Sequence, residues 1–161
     1  MRRQILVAAA LFCGVILMAA AARADGKLDL DKVPAKIMSA IKGRFPDAQL
    51  KSVEEENENG KVMYDVELTQ KGRKYEMDIN GDGTIVEVEK EVAAKDFPAA
   101  CAKAVAAKFP NAKIKEIMEV NKVDGKKETP QNYEVTLEEP GKKAFEAIVA
   151  LDGSSVKEEK E

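Results

Sequence analysis

Oxygen donors are spaced at Asp78-Ile79-Asn80-Gly81-Asp82-Gly83-Thr84, with Glu89 beyond, as in a calcium-binding loop. Donors at the first, third and fifth positions, Gly83 at the sixth, Ile85 at the eighth and Glu89 at the twelfth fit the calcium loop that normally joins two helices. The flanks do not read as helices. Lys74-Tyr75-Glu76-Met77 and Val86-Glu87-Val88-Glu89 alternate between apolar and polar residues, as strands do. The leading reading is therefore a plain hairpin turned by Asp82-Gly83, for which Asp-Gly is a natural choice. The alternative is a single calcium held at the hairpin tip by Asp78, Asn80 and Asp82, without Glu89. No other cofactor is called for.

Catalytic chemistry is poorly provided for. The chain has no His and no Trp, so Ser-His and Cys-His nucleophilic sites are excluded within it. No spacing points to a Ser-Lys or paired-carboxylate site, and the expected protein is not an enzyme. Cys101 answers to Ile37 in an internal repeat, which makes it a filler of an apolar helix face rather than a reactive thiol.

Charge offers a second kind of chemistry. If Tyr64, Val66 and Leu68 face a helix, then Asp65, Glu67, Glu76, Asp78, Glu87 and Glu89 face the other way, because strand neighbours alternate. Six carboxylates then share one surface. Such a face either keeps the protein soluble or docks a cationic protein, peptide or metal ion.

The elements that position these residues come in two copies. Val33-Pro34 to Phe45-Pro46-Asp47-Ala48 recurs as Phe97-Pro98 to Phe109-Pro110-Asn111-Ala112. Tyr64-Asp65-Val66-Glu67-Leu68 recurs as Tyr133-Glu134-Val135-Thr136-Leu137, after an insertion around Asp124 to Gln131. Asp82-Gly83-Thr84 recurs as Asp152-Gly153-Ser154, whereas Ile148 and Ala150 stand where the first copy has Asp78 and Asn80. Each copy opens with a helix whose apolar face is Val33, Ile37, Met38, Ile41 and Phe45 in the first and Phe97, Cys101, Val105 and Phe109 in the second. Pro34 suits a first helical turn, and Asp96 is the expected N-cap of the second helix. Period-two strands follow: a short one near Leu50 to Glu56, then Val62 to Thr69, Tyr75 to Ile79 and Ile85 to Val92. The fold class predicted is α+β, two tandem repeats, each one helix on a roughly four-stranded antiparallel meander. The partly apolar outward set Ala144, Glu146, Ile148 and Ala150 is expected to pack against the other unit.

Export is written at the start. Met1-Arg2-Arg3, the apolar run Ile5 to Ala22 and the small-x-small site Ala22-Arg23-Ala24 read as a cleaved signal peptide over 1–24. The repeats then span 25–92 and 93–161, with no stable membrane anchor after cleavage. Removing Arg2, Arg3 and Arg23 leaves 23 basic residues against 29 acidic ones, a net charge of about −6. Nucleic acid is not an expected partner of so acidic a chain. Only Cys101 survives cleavage, so no internal disulfide is expected.

The helix closed by Phe-Pro, the Tyr-x-Val-x-Leu strand and the Asp-Gly hairpin, in tandem behind a signal peptide, together resemble the PepSY-like family, also described as beta-lactamase-inhibitor-like. The resemblance spans nearly all of the mature chain. It implies a non-enzymatic, inhibitor-like domain, periplasmic or secreted, that binds or regulates other proteins. The beta-lactamase inhibitory protein uses a concave sheet rich in aromatics, whereas the aromatics here fall mostly at core positions. The reading is thus an exported module that binds an extracytoplasmic protein or peptide through its open sheet faces. The alternative is a calcium-binding or metal-buffering protein using the Asp78–Asp82 loop and the acidic face.

Overall fold

The two helices form where apolar residues recur every three to four positions. The structure, a computed structural model, describes residues 26–58 and 61–159; the expected signal segment 1–24 lies outside the described residues. Helix α1 runs Ala35–Arg44 and α2 runs Ala99–Lys108. Val33, Ile37, Ile41 and Phe45 are buried along one side of α1, and Phe97, Cys101, Val105 and Phe109 along one side of α2. Both helices end at a Phe whose N–H still donates to the chain one turn back, Phe45 to Ile41 at 2.7 Å and Phe109 to Val105 at 2.8 Å. The Pro that follows each Phe forbids a further turn.

The starts of the helices correct two expectations. Pro34 and Pro98 occupy the N-cap positions, with ψ of 139° and 132°, and no side chain caps either helix. Asp96 is therefore not the N-cap of α2. Its N–H donates to Ala93 O at 2.8 Å in the preceding turn. An extended proline one residue before the helix already fixes the entry angle of the chain, which leaves Asp96 outside.

Eight strands follow the helices: β1 Gln49–Glu58, β2 Lys61–Gln70, β3 Arg73–Asn80, β4 Ile85–Glu91, β5 Lys113–Asp124, β6 Lys127–Glu138, β7 Phe145–Ala150 and β8 Val156–Glu158. They lie in sequence order in one antiparallel eight-stranded sheet. Each helix thus precedes four meandering strands, but the strands do not make two separate sheets. β4 pairs with β5, placing Glu87 opposite Lys122, Glu89 opposite Val120 and Glu91 opposite Met118. The expected packing of the Ile148 face against the other unit is corrected accordingly, because the halves meet edge to edge. Pairing satisfies the backbone of two strands that would otherwise be open edges.

Both helices cover the same face. Ile117 and Val123 point the same way from β5, yet Ile117 joins the apolar cluster under α2 and Val123 the cluster under α1. Val123 reaches the first cluster because the insertion around Asp124 to Gln131 lengthens the β5–β6 hairpin, which closes where Asp124 faces Lys127. Opposite Val123, Glu128 accepts ion pairs from Arg44 of α1 and Lys90 of β4. The insertion therefore ties the second half to the first helix.

The outer edges are short or covered. Gly26 and Leu28 bond to β1 through Glu55 N–H to Gly26 O at 3.1 Å and Leu28 N–H to Val53 O at 2.8 Å, while β8 has only three residues. Aromatics serve the cores, as Phe45 on Tyr75 (4.7 Å between ring centres) and Phe97 on Tyr133 (5.2 Å) show.

The Asp-Gly turns lock the sheet to the helices. At Gly153, φ is +73° and a Cβ would stand 2.8 Å from the backbone of Ala100 in α2. Gly153→Ala is expected to cost about 1–3 kcal/mol through left-handed strain and displacement of the helix. Gly43→Ala, within α1 and with nothing within 4 Å of the new methyl, is expected to stabilise by about 0.5–1 kcal/mol. Urea unfolding of the two variants checks the contrast, and equal effects would contradict the helix–turn contact.

Candidate functional site

With both helices on one side, the other side of the sheet carries no covering layer among the described residues. Residues directly opposite in an antiparallel pair share a face, so the register fixes what that side presents. Asp65 lies opposite Asp78, and Glu67 opposite Glu76. Continuing across the sheet, Glu76 lies opposite Glu89 and Asp78 opposite Glu87. All six carboxylates expected from alternation therefore stand on the uncovered face, in two rows across three strands. Glu54 of β1 extends one row as the partner of Asp65.

The rows continue into the second half. Val120, opposite Glu89, and Met118, opposite both Glu91 and Glu134, belong to this face rather than to either core. Both are nevertheless buried, to 3% and 5% exposure. Beyond them, carboxylate oxygens of Glu134, Glu146 and Glu159 come within 4.8 Å of one another. In the repeat these three are the counterparts of Asp65, Glu76 and Glu89. Sequence reasoning did not single them out as a set, although extending the repeat alignment from tyrosines to carboxylates would have found them.

Positive charge on the face is limited and partly committed. Lys74 Nζ lies 2.7 Å from Glu76 and 3.0 Å from Glu116, spanning from β3 to β5. Burial works against its charge, but hydrogen bonds to Glu76 and Glu116 prevail and hold its pKa above the ordinary lysine value. Lys122 stands opposite Glu87 and Lys157 opposite Ile148.

Crowded carboxylates titrate late. Burial, then the charges of Asp78 and Glu76, push Asp65 up to about 7. Burial, then Glu134 and Glu76, push Glu89 to about 9. Burial, then Glu159 and Glu146, push Glu134 to about 8. Glu87 is raised by burial. The physical cause is shared, since a half-buried surface without enough counter-charge favours the neutral acid.

The hairpin tip is built differently. Asp78 and Asn80 project from β3 on the uncovered face, as their partners Asp65 and Met63 require. Asp82 belongs to the turn, where its Oδ1 accepts the Thr84 N–H at 2.8 Å. The bond from Thr84 also lowers the Asp82 pKa. Asp152 repeats the arrangement, accepting Ser154 N–H at 2.9 Å. Glu89 sits opposite Glu76, well along β4 from the tip. Cys101 is buried, and its Sγ approaches Leu151 O at 3.4 Å and Ala150 O at 3.5 Å. Burial pushes that thiol up, which suits a core filler.

The sequence matches the family model described as "Putative beta-lactamase-inhibitor-like, PepSY-like" over residues 22–63 and 62–148. The chain belongs to this PepSY-like family. A DUF2874 family protein from Bacteroides uniformis is similar in structure, with a TM-score of 0.56, 15% identity, and coverage of 78% of this chain and 88% of that one. A BLIP-like protein from Bacteroides fragilis gives a TM-score of 0.52 at 17% identity, covering 78% and 85%. A protein from Bacteroides eggerthii, described as a putative periplasmic protein, gives 0.57 at 15% identity, covering 78% and 88%. At these identities the likeness shows the fold. No curated protein matches the sequence.

These shifts make folding depend on pH with a definite sign. An acid whose pKa is higher folded than unfolded binds more protons when folded, so stability falls as pH climbs from the unfolded value near 4 through the folded one. The window closes at about 7 for Asp65, 8 for Glu134 and 9 for Glu89. The protein is therefore expected to melt at higher temperature near pH 5 than near pH 8.5. Glu89→Gln should stabilise it at the higher pH by on the order of 1 kcal/mol, from one relieved like-charge pair and less desolvation, with a smaller gain near pH 4.5. Calorimetric melting across this range checks both, and a melting temperature that rises with pH would contradict the assignment.

Proposed function

We propose that the protein is an exported, non-catalytic binding module that receives a lysine- or arginine-rich segment of a protein or peptide on the uncovered side of its sheet. The observation carrying this reading is the pair of carboxylate rows Asp65-Asp78-Glu87 and Glu67-Glu76-Glu89, laid across neighbouring strands with no covering layer among the described residues. Like charges placed opposite one another cost about 0.2–1 kcal/mol each. A face needed only for solubility could mix the signs. Complementary charge speeds encounter and selects cationic partners, and the buried Met118 and Val120 give the centre of the face a dry floor. Membership of an inhibitor-like family supports a binding role. The absence of His from the chain supports a non-catalytic one. The signal-like start of the sequence and the periplasmic description of the Bacteroides eggerthii neighbour support export. Among the described residues, no helix is long and apolar enough to cross a membrane.

A second reading is favoured by one observation, the closeness of the oxygens of Glu134, Glu146 and Glu159. On this reading the face collects divalent cations, with calcium the ion suited to oxygen donors, and the Asp78, Asn80 and Asp82 tip is a further candidate. Calorimetric titration with calcium chloride tests it. Heat lost in an Asp78→Ala, Asp82→Ala variant places the ion at the tip, heat lost in Glu134→Gln places it at the glutamates, and no heat removes the reading.

For the leading reading, a hexalysine peptide is expected to bind the purified protein with an affinity that falls as salt rises. Glu67→Lys together with Glu87→Lys should weaken it by about tenfold or more, while unfolding remains cooperative. Unchanged affinity in that variant would contradict docking on this face.

A further inference from the structure

We propose that the uncovered face is a proton-exchanging surface, whose cross-strand carboxylates hold protons near neutral pH and release them as cationic groups dock. The inference rests on the docking reading above and adds its regulation: binding is coupled to pH.

The geometry crowds acidic groups together on this face. Around Glu89, β3 presents Glu76, Asp78 and Lys74, and β4 itself presents Glu87 and Glu91. From the other side β5 presents Val120, Met118 and Lys122, and Glu134 of β6 lies close enough to act on Glu89. Lys74 is already shared between Glu76 and Glu116. Around Glu134, β5 presents Met118 and Glu116 and β7 presents Ile148 and Glu146. From β8, Lys157 stands opposite Ile148, and Glu159 completes the close group. Around Asp65 stand Glu54 and Glu56 of β1, Glu67 of β2, and Asp78 and Glu76 of β3. Acids crowded across neighbouring strands in this way do not all ionise together, and their protons leave in stages that belong to the group.

A separate observation falls on the same face. The Oδ1 of Asn132 is buried without a hydrogen-bond partner. Asn132 lies opposite Val120 on this face, two residues along β6 from Glu134. Ionised carboxylates only accept, whereas a protonated carboxyl group supplies an O–H. The raised pKa values of Asp65, Glu134 and Glu89 agree with this picture.

Docking reverses the balance. An ammonium or guanidinium group placed beside a carboxyl favours its ionised form, so the proton leaves to the solvent and the cation takes its place. By linkage, a ligand that expels protons binds more tightly as pH rises. The absence of His makes the exchange readable. Between about pH 6 and 9, groups with ordinary pKa values leave only the α-amino group to titrate, and Cys101 is buried and shifted upward.

Calorimetry of hexalysine binding at about pH 7.5, in phosphate and in Tris, tests the proposal because these buffers differ in the heat they absorb with a proton. The expected result is a difference in observed heat equivalent to release of roughly one proton or more per peptide. A Glu89→Gln, Glu134→Gln variant gives up two docking carboxylates and should bind more weakly, with most of that difference per bound peptide gone. Affinity of the unaltered protein should rise between pH 6 and 8.5. Binding with equal heat in both buffers overturns proton exchange and leaves docking intact; no binding at any pH overturns docking and the exchange with it. Carboxyl-carbon NMR titration of the protein alone tests the stored protons without a peptide. Midpoints above about 6 for Glu89 and Glu134 are expected, and midpoints below about 5 for every carboxyl would overturn the proposal.

Discussion

The pairing of β4 with β5 is the constraint on which the rest of the structure depends. Without it, each helix would cover a four-stranded sheet of its own, with two open edges and a narrow outer face. With it, the helices share one side, the rows of Glu76 and Glu89 continue into Val120, and the other side becomes a single surface. The long β5–β6 hairpin reinforces the join by placing Val123 in the first apolar cluster and Glu128 between Arg44 and Lys90. A connection through helix α2 brings the second meander alongside the first, so an antiparallel pair forms without a hairpin.

The two sides of this sheet answer to opposite physical demands. Beneath the helices, Ile37, Val66, Leu68, Ile79, Val135 and Val149 are fully buried, and the fold takes its stability from their removal from water. On the uncovered side, carboxylates face one another beside a dry patch formed by Met118 and Val120. That arrangement opposes folding whenever the acids are ionised. Proteins commonly accept such local cost where a surface has work to do, and the proposed docking of a cationic segment would offset it.

Much of this was legible in the sequence because a repeat must place like residues in like surroundings. Phe45 and Phe109 end equivalent helices, Ile37 explains Cys101, and the alternation from Val62 to Leu68 places Asp65 and Glu67 on the outer face. What alternation cannot reveal is lateral order. Period two says which way Glu89 points but not that Val120 will lie beside it, so the fusion of the two sheets was not readable. The role of the insertion was hidden for the same reason, since Val123 fills a cluster made by a distant helix. The calcium-like spacing from Asp78 to Glu89 is divided by the strands, with Asp78 on one row of the face, Glu89 on the next and Asp82 in the turn. The group of Glu134, Glu146 and Glu159 left a signal in the repeat, weakened because Ile148 and Ala150 interrupt the acidic pattern.

Amide hydrogen exchange along β4 and β5 tests the continuous sheet most directly. In an interior strand successive amides are paired, whereas an edge strand leaves every second one open to water. Slow exchange is predicted at consecutive amides of Glu87 to Glu91 and of Met118 to Lys122, matching β2 and β6. Rapid exchange at alternate amides of both segments would show two sheets side by side and contradict the single acidic face.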